Sequence, residues 1–278
     1  MKKCFRTILL VIVAMVLIGC CKSVNSYNIE PLSIPTATFS IEPDNLIYFE
    51  DMGLPNFTCT GFAYDSVNDT YWIGNHGTQL GDSIQLVQID SDMNSVISFV
   101  QIEGYFNDGK INLQGIAYDS LDDALWCAIG DSIVEITKDG TVKNNFTNYY
   151  FKKYQANGIS IDPIDSSIWV LCYSTKLIHI DRNGNIIGDF TINYKDQDMI
   201  FVDDSNIWIT IGADYIGKNN FLAVFDKESL QLIVDYRLIK SYAIEGIYKK
   251  DGYCYIVNDG LYHESTIPKS YISIYKLN

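Results

Sequence analysis

The sequence predicts an all-β chain, folded as one β-propeller of four-stranded antiparallel blades. Three observations carry that prediction: a repeated unit, a fixed register of aromatic residues within it, and the arithmetic of its spacing. The stretch LQGIAYDSLDDALWCAIGD (113–131) is matched closely by CTGFAYDSVNDTYWIGNHG (59–77) and ANGISIDPIDSSIWVLCYS (156–174). It is matched more loosely by QDMIFVDDSNIWITIGAD (197–214) and IEGIYKKDGYCYIVNDG (244–260). Self-similarity at such a period is the mark of a repeat architecture.

Each unit opens with an apolar pentad such as GIAYD, passes a polar turn such as SLDD or PIDSS, and enters a second apolar run such as ALWCAIG. Short runs rich in Ile, Val, Tyr and Trp between Asp, Asn, Ser and Gly are strands joined by hairpins. A third strand follows (SIVEITKD, KLIHIDRN, FLAVFDKE), then a more polar fourth (TVKNNFTNY, LIVDYRLI). Three strands buried on both faces and a half-exposed fourth are expected where sheets stack face to face and end in an outer edge.

All four tryptophans fall at one place in the second strand. Trp72, Trp126 and Trp169 lie eleven residues after the opening glycine, Trp208 nine after Met199, and Tyr255 nine after Gly246. One large aromatic per repeat suits a wedge between neighbouring blades. The residues just before the first strands are Thr60, Gln114, Asn157, Asp198 and Glu245, and only 33 residues follow the last, enough for three strands. The missing strand is expected at the other end, in DNLIYFED (44–51), which would close a five-bladed ring by joining the last blade. Closure removes exposed sheet edges. A sixth blade drawing on TATFSI (36–41) is the alternative.

The chain opens MKKCFRTILLVIVAMVLIGCCKS: a basic start, an apolar run too short for a comfortable membrane span, and small residues at its end, the layout of an export signal. Leu17-Ile18-Gly19-Cys20 resembles the bacterial lipobox, which implies cleavage before Cys20, lipidation of that cysteine and a lipid-anchored location in the cell envelope. The expected organisation is a signal over 1–19, a polar tether over 20–43 and the propeller over 44–278. Removing residues 1–19 takes away Lys2, Lys3 and Arg6 and moves the formal net charge from −14 to −17. A surface that acidic argues against nucleic acid as a partner and leaves a protein, a small molecule or sugar, and cations. The odd set of cysteines left after the anchor, with no CxxC spacing, supports neither a disulfide framework nor a zinc site, and Cys127, Cys172 and Cys254 are expected as buried small hydrophobes.

In a propeller, the turns entering the first strands and the loops after the second strands meet around the channel at one end. That gathers the inner ring Thr60, Gln114, Asn157, Asp198 and Glu245, and around it His76, Asp131, Asp214, Asp259 and His263. Convergent carboxylate and amide oxygens suit a hard divalent cation such as Ca2+. The units ANGISIDPIDSSIWV, QDMIFVDDSNIWIT and IEGIYKKDGYCYIV resemble repeats of the gluconolactonase and senescence-marker-protein group, and more widely NHL-type and SdiA-regulated propellers. That resemblance implies Glu245, Asn157 and Asp198 as metal ligands and Asp198 as general base of a lactone or phosphoester hydrolase. Met199 in place of glycine, and five blades where the lactonases have six, depart from the pattern. The expected function is therefore a binding or interaction propeller, with cation-dependent hydrolysis as the alternative.

Overall fold

The computed structural model describes residues 37–76, 85–104, 113–173, 175–194, 196–212, 220–261 and 267–277. The signal, Cys20, Asp214 and His263 lie outside them.

Two short strands come first, β1 (Phe39–Ile41) and β2 (Asn45–Tyr48). Five antiparallel units follow: β3 (Cys59–Asp65), β4 (Thr70–Asn75), β5 (Gln85–Asp90) and β6 (Val96–Gln101) form blade 1; β7 (Leu113–Asp119), β8 (Ala124–Ile129), β9 (Ser132–Ile136) and β10 (Val142–Thr147) form blade 2. Blade 3 holds β11 (Ala156–Ile161), β12 (Ile168–Cys172), β13 (Lys176–Ile180) and β14 (Ile186–Thr191); blade 4 holds β15 (Gln197–Val202), β16 (Asn206–Ile211), β17 (Phe221–Asp226) and β18 (Leu232–Leu238). Blade 5 has three strands of its own, β19 (Ile244–Lys250), β20 (Tyr253–Asp259) and β21 (Ser270–Lys276). Its fourth is β2, antiparallel to β21 with Ile47 opposite Ile272. The ring thus closes as expected, with five blades.

TATFSI builds no sixth blade. Phe39–Ile41 instead adds a parallel fifth strand to β18, and both the backbone N–H and the hydroxyl of Thr38 donate to Asp235 Oδ1, at 2.7 and 3.1 Å. Part of the segment expected as tether is therefore ordered sheet, covering the outer edge of blade 4.

The core sits between the blades. Trp72 packs against Leu113 and Ile116 of the next blade, Trp126 against Ile159, Trp169 against Ile200, and Trp208 against Ile247. Tyr255 packs in the fifth gap with Phe62 and Tyr71. The second strands are buried almost throughout while fourth strands alternate, as in β6 and β10. Cys59, Cys127, Cys172 and Cys254 are free and buried; burial pushes the thiols of Cys172 and Cys254 up to about 12, which leaves them inert at neutral pH.

At the end of the innermost strand, four blades repeat one construction. Asp65, Asp119, Asp162 and Asp203 each accept, through Oδ1, the backbone N–H two residues on, at 3.0 Å. This Asx turn fixes the hairpin tip. The indoles of Trp126, Trp169 and Trp208 donate to Asp119, Asp162 and Asp203 at 3.3, 3.1 and 2.8 Å. A cation from the following blade completes each: Lys138 on Asp65 at 2.9 Å, Arg182 on Asp119 at 2.6 Å, Lys227 on Asp162 at 3.0 Å and Lys249 on Asp203 at 2.9 Å. Burial alone would raise the Asp65 and Asp203 carboxyls, yet their hydrogen bonds, from Lys138 and Lys249 foremost, hold both below the usual range. One aspartate thus caps its hairpin and ties two blades together, and in blades 2 to 4 it also holds its tryptophan.

Candidate functional site

The channel has two mouths. We call the one where the innermost strands begin the upper mouth and the one where they end the lower.

At the upper mouth the five ring residues are brought together by a shared backbone device. A β-bulge interrupts every innermost strand at the ring residue or, in blade 1, just past it: Thr60/Phe62, Leu113/Ile116, Ala156/Gly158, Gln197/Ile200 and Ile244/Gly246. Bulges re-aim side chains, here by turning the ring residues at the axis. Glycine follows the ring residue in four blades because the neighbouring backbone is too close for a side chain. A Cβ on Gly61 would lie 2.5 Å from the Gln114 carbonyl oxygen, and one on Gly115 2.5 Å from that of Asn157. Blade 4 departs from this. Met199 occupies the glycine place, buried with Ile244 and Ile247 in the seam between blades 4 and 5. That seam runs between Asp198 and Glu245.

The electrostatics centre on that pair. Burial raises the Asp198 carboxyl to about 7, against the pull of the Asn157 hydrogen bond and with a push from Asp196. Glu245 is raised well above the usual carboxylate range by burial first, then by repulsion from Asp198 and Asp259. The Asn157 side-chain N–H donates to the Asp198 carboxylate and, at 3.0 Å, to its carbonyl. That bond uses only the amide nitrogen. Asn157 Oδ1 and Thr60 Oγ1, in residues 0% and 1% exposed, have no hydrogen-bond partner. Buried polar atoms are seldom left so.

The outer residues divide. His76 and Asp259 are buried, as is Gln114 of the ring itself, and Asp259 accepts from the Ser270 hydroxyl at 2.8 Å. Asp131 is exposed at the blade 2 turn and accepts from Ser132 at 3.2 Å. Among the described residues no three His, Cys, Asp or Glu side chains stand close enough to hold a metal ion by themselves. A cation at this mouth would take two carboxylates, with amide, hydroxyl and water oxygens completing the shell, a set that suits calcium and excludes a zinc cage.

The lower mouth holds what the sequence reading did not anticipate, a cavity of about 630 Å³. Phe62, Ile116, Ile159, Ile200 and Ile247, one per blade and each two residues past the ring, form an apolar collar between the polar ring and this cavity. Ala63, Ala117 and Ser160 line it too, opposite Trp72, Trp126 and Trp169 across the hairpin. Each of these three indoles is matched by a small neighbour, whereas Trp208 faces Phe201. The signal was present in GFAYD, GIAYD and GISID, where the residue after Phe or Ile is small in three repeats running.

No family model and no curated protein matches the chain. Solved structures do. The chain is similar to a glutaminyl cyclase of Myxococcus xanthus, with a TM-score of 0.59 at 9% identity, over 86% of this chain and 100% of that one. It is similar to a Bacteroides caccae protein of unknown function, with a TM-score of 0.51 at 13% identity, over 80% and 82%. A tail fiber of Staphylococcus aureus phage P68 matches with a TM-score of 0.55 at 14% identity, over 83% of this chain and 52% of that one. At such identities the likeness is one of fold, and with the five sheets described above it agrees with a β-propeller of five blades.

Proposed function

We propose that this chain is an exported, lipid-anchored binding propeller whose upper channel mouth holds a divalent cation, calcium foremost. Two buried, mutually repelling carboxylates beside two unpartnered buried oxygens carry the reading. A bound cation would remove these penalties together: it would neutralise Asp198 and Glu245 and offer Asn157 Oδ1 and Thr60 Oγ1 a partner. The lipobox-like Leu17–Cys20 supports anchoring in the envelope, and the acidic balance of the chain supports partners other than nucleic acid.

One observation favours a catalytic variant of this reading. Asp198 is buried at the channel mouth, and in the metal-free chain its carboxyl is raised to about 7, within reach of proton exchange near neutral pH. In that variant Asp198, Glu245 and Asn157 would hold the cation, which would supply Lewis-acid polarisation of an ester carbonyl, and Asp198 would accept a proton from water.

The test is a thermal melt of the full chain, metal-stripped and with millimolar calcium, with the same samples offered a lactone, a phosphoester and an N-terminal glutaminyl peptide. Calcium should raise the melting temperature, since a ligand bound only by the fold stabilises it by about 2.7 kcal/mol at a hundredfold excess over its dissociation constant. No shift with calcium or any other divalent ion sinks the cation reading. Turnover lost in Asp198→Asn would replace the binding assignment with the catalytic one.

A further inference from the structure

The lower mouth has its own chemistry, independent of the cation reading. The Asx turns set one residue at each hairpin tip, and in three consecutive blades that residue is aliphatic and exposed: Val67 (62%), Leu121 (66%) and Ile164 (69%). They border the cavity, whose walls here include Tyr64, Tyr118, Phe201 and Tyr248. Across the opening the character changes. Blade 4 puts Asp204 at its tip and blade 5 puts Asp251, both exposed and neither in an ion pair among the described residues. Of the other tip carboxylates, Asp69, Asp122 and Asp123 are matched by Lys250, Arg182 and Lys138, and Asp165 in blade 3 is turned back to accept from the N–H and hydroxyl of Ser167.

We infer that the lower mouth docks a basic, amphipathic peptide segment of a partner protein: an aliphatic or aromatic side chain fills the cavity, apolar neighbours rest on Val67, Leu121 and Ile164, and lysine or arginine residues face Asp204 and Asp251. The aliphatic tips extend the contact beyond the cavity, further than a small molecule held within it would reach. The unmatched carboxylates select a cationic partner and disfavour an anionic one, including an anionic bilayer. Apolar anchors supply affinity, charge supplies selection and encounter rate.

The experiment is selection of a displayed library of random peptides on the immobilised full chain, in parallel with two variants, Leu121→Ser/Ile164→Ser and Asp204→Asn/Asp251→Asn. All four positions are exposed, so both variants should melt like the wild type. The expected result is enrichment of peptides pairing Lys or Arg with aliphatic or aromatic residues, bound about tenfold more weakly by the first variant. The second variant should lose the preference for basic residues. Enrichment of acidic or neutral peptides, no enrichment, or equal binding by both variants overturns the inference. So does variant-sensitive binding to phosphatidylcholine vesicles, or variant-sensitive self-association, with no basic peptide selected; the face would then belong to lipid or to a second copy.

Discussion

Replacing Asp198 by Asn should stabilise the metal-free protein at alkaline pH and abolish its response to calcium. The reasoning runs through proton linkage. A carboxyl held at about 7 in the fold against an ordinary 3.8 penalises its ionised form by about 4 kcal/mol. Between those values the folded state binds more protons than the unfolded chain, so wild-type stability rises as pH falls from 8 towards 4 and is lost as pH rises through 7. Asparagine carries no such penalty and can still accept from Asn157. Its advantage should be about 4 kcal/mol at pH 8, about 1.6 kcal/mol at pH 5, and should vanish below 4. For a domain of this size, 4 kcal/mol corresponds to roughly 10 °C in melting temperature. Calorimetric melts from pH 4.5 to 8.5 in chelator, then in calcium, measure both effects. An Asp198→Asn protein less stable than wild type at pH 8 without metal, or stabilised by calcium as much as wild type, would refute the account of the ring.

Further predictions concern the scaffold. Gly115→Ala should cost about 2–3 kcal/mol, because its Cβ would meet the Asn157 carbonyl at 2.5 Å, while Gly252, with nothing within 4 Å, should show only the smaller cost of its positive φ. Lys227→Met leaves Asp162 buried without its cation and should cost about 3 kcal/mol, part of it recovered when Asp162→Asn is added; denaturant melts read both. Deleting the chain up to residue 43 should lower stability modestly by uncovering β18, whereas deletion up to residue 51 removes β2 and should abolish cooperative unfolding. His179, stacked on Trp169 and bonded to Ser167 at 2.6 Å, is held below its ordinary pKa by burial, so its contribution is present above pH 6.5 and lost as pH falls through the lowered value. His179→Phe should flatten that part of the stability profile, and an unchanged profile would exclude His179 as its source.

Much of the fold was legible because repetition exposes one structural logic five times. The tryptophan register forecast the interblade wedges, the residue count forecast closure through DNLIY, and apolar runs around Cys127, Cys172 and Cys254 forecast inert thiols. The ring itself could be named from spacing alone. Its strain could not, since the state of Glu245 depends on burial and on Asp198, 47 positions away in sequence. TATFSI also resisted reading, as a strand of three residues has no period long enough to say which sheet it will join.

The sequence by itself determined the repeat unit, the pattern of buried strands and the place of the wedging aromatics, all properties of local periodicity and spacing, and it favoured five blades while leaving a sixth open. Tertiary structure alone decided that each capping aspartate is shared with a cation from the next blade, that glycines after the ring make room for a neighbour's backbone, and that the large cavity opens at the lower mouth. The physical reason is common to all three. Each depends on distances between blades, and those are set only when five sheets close into one ring.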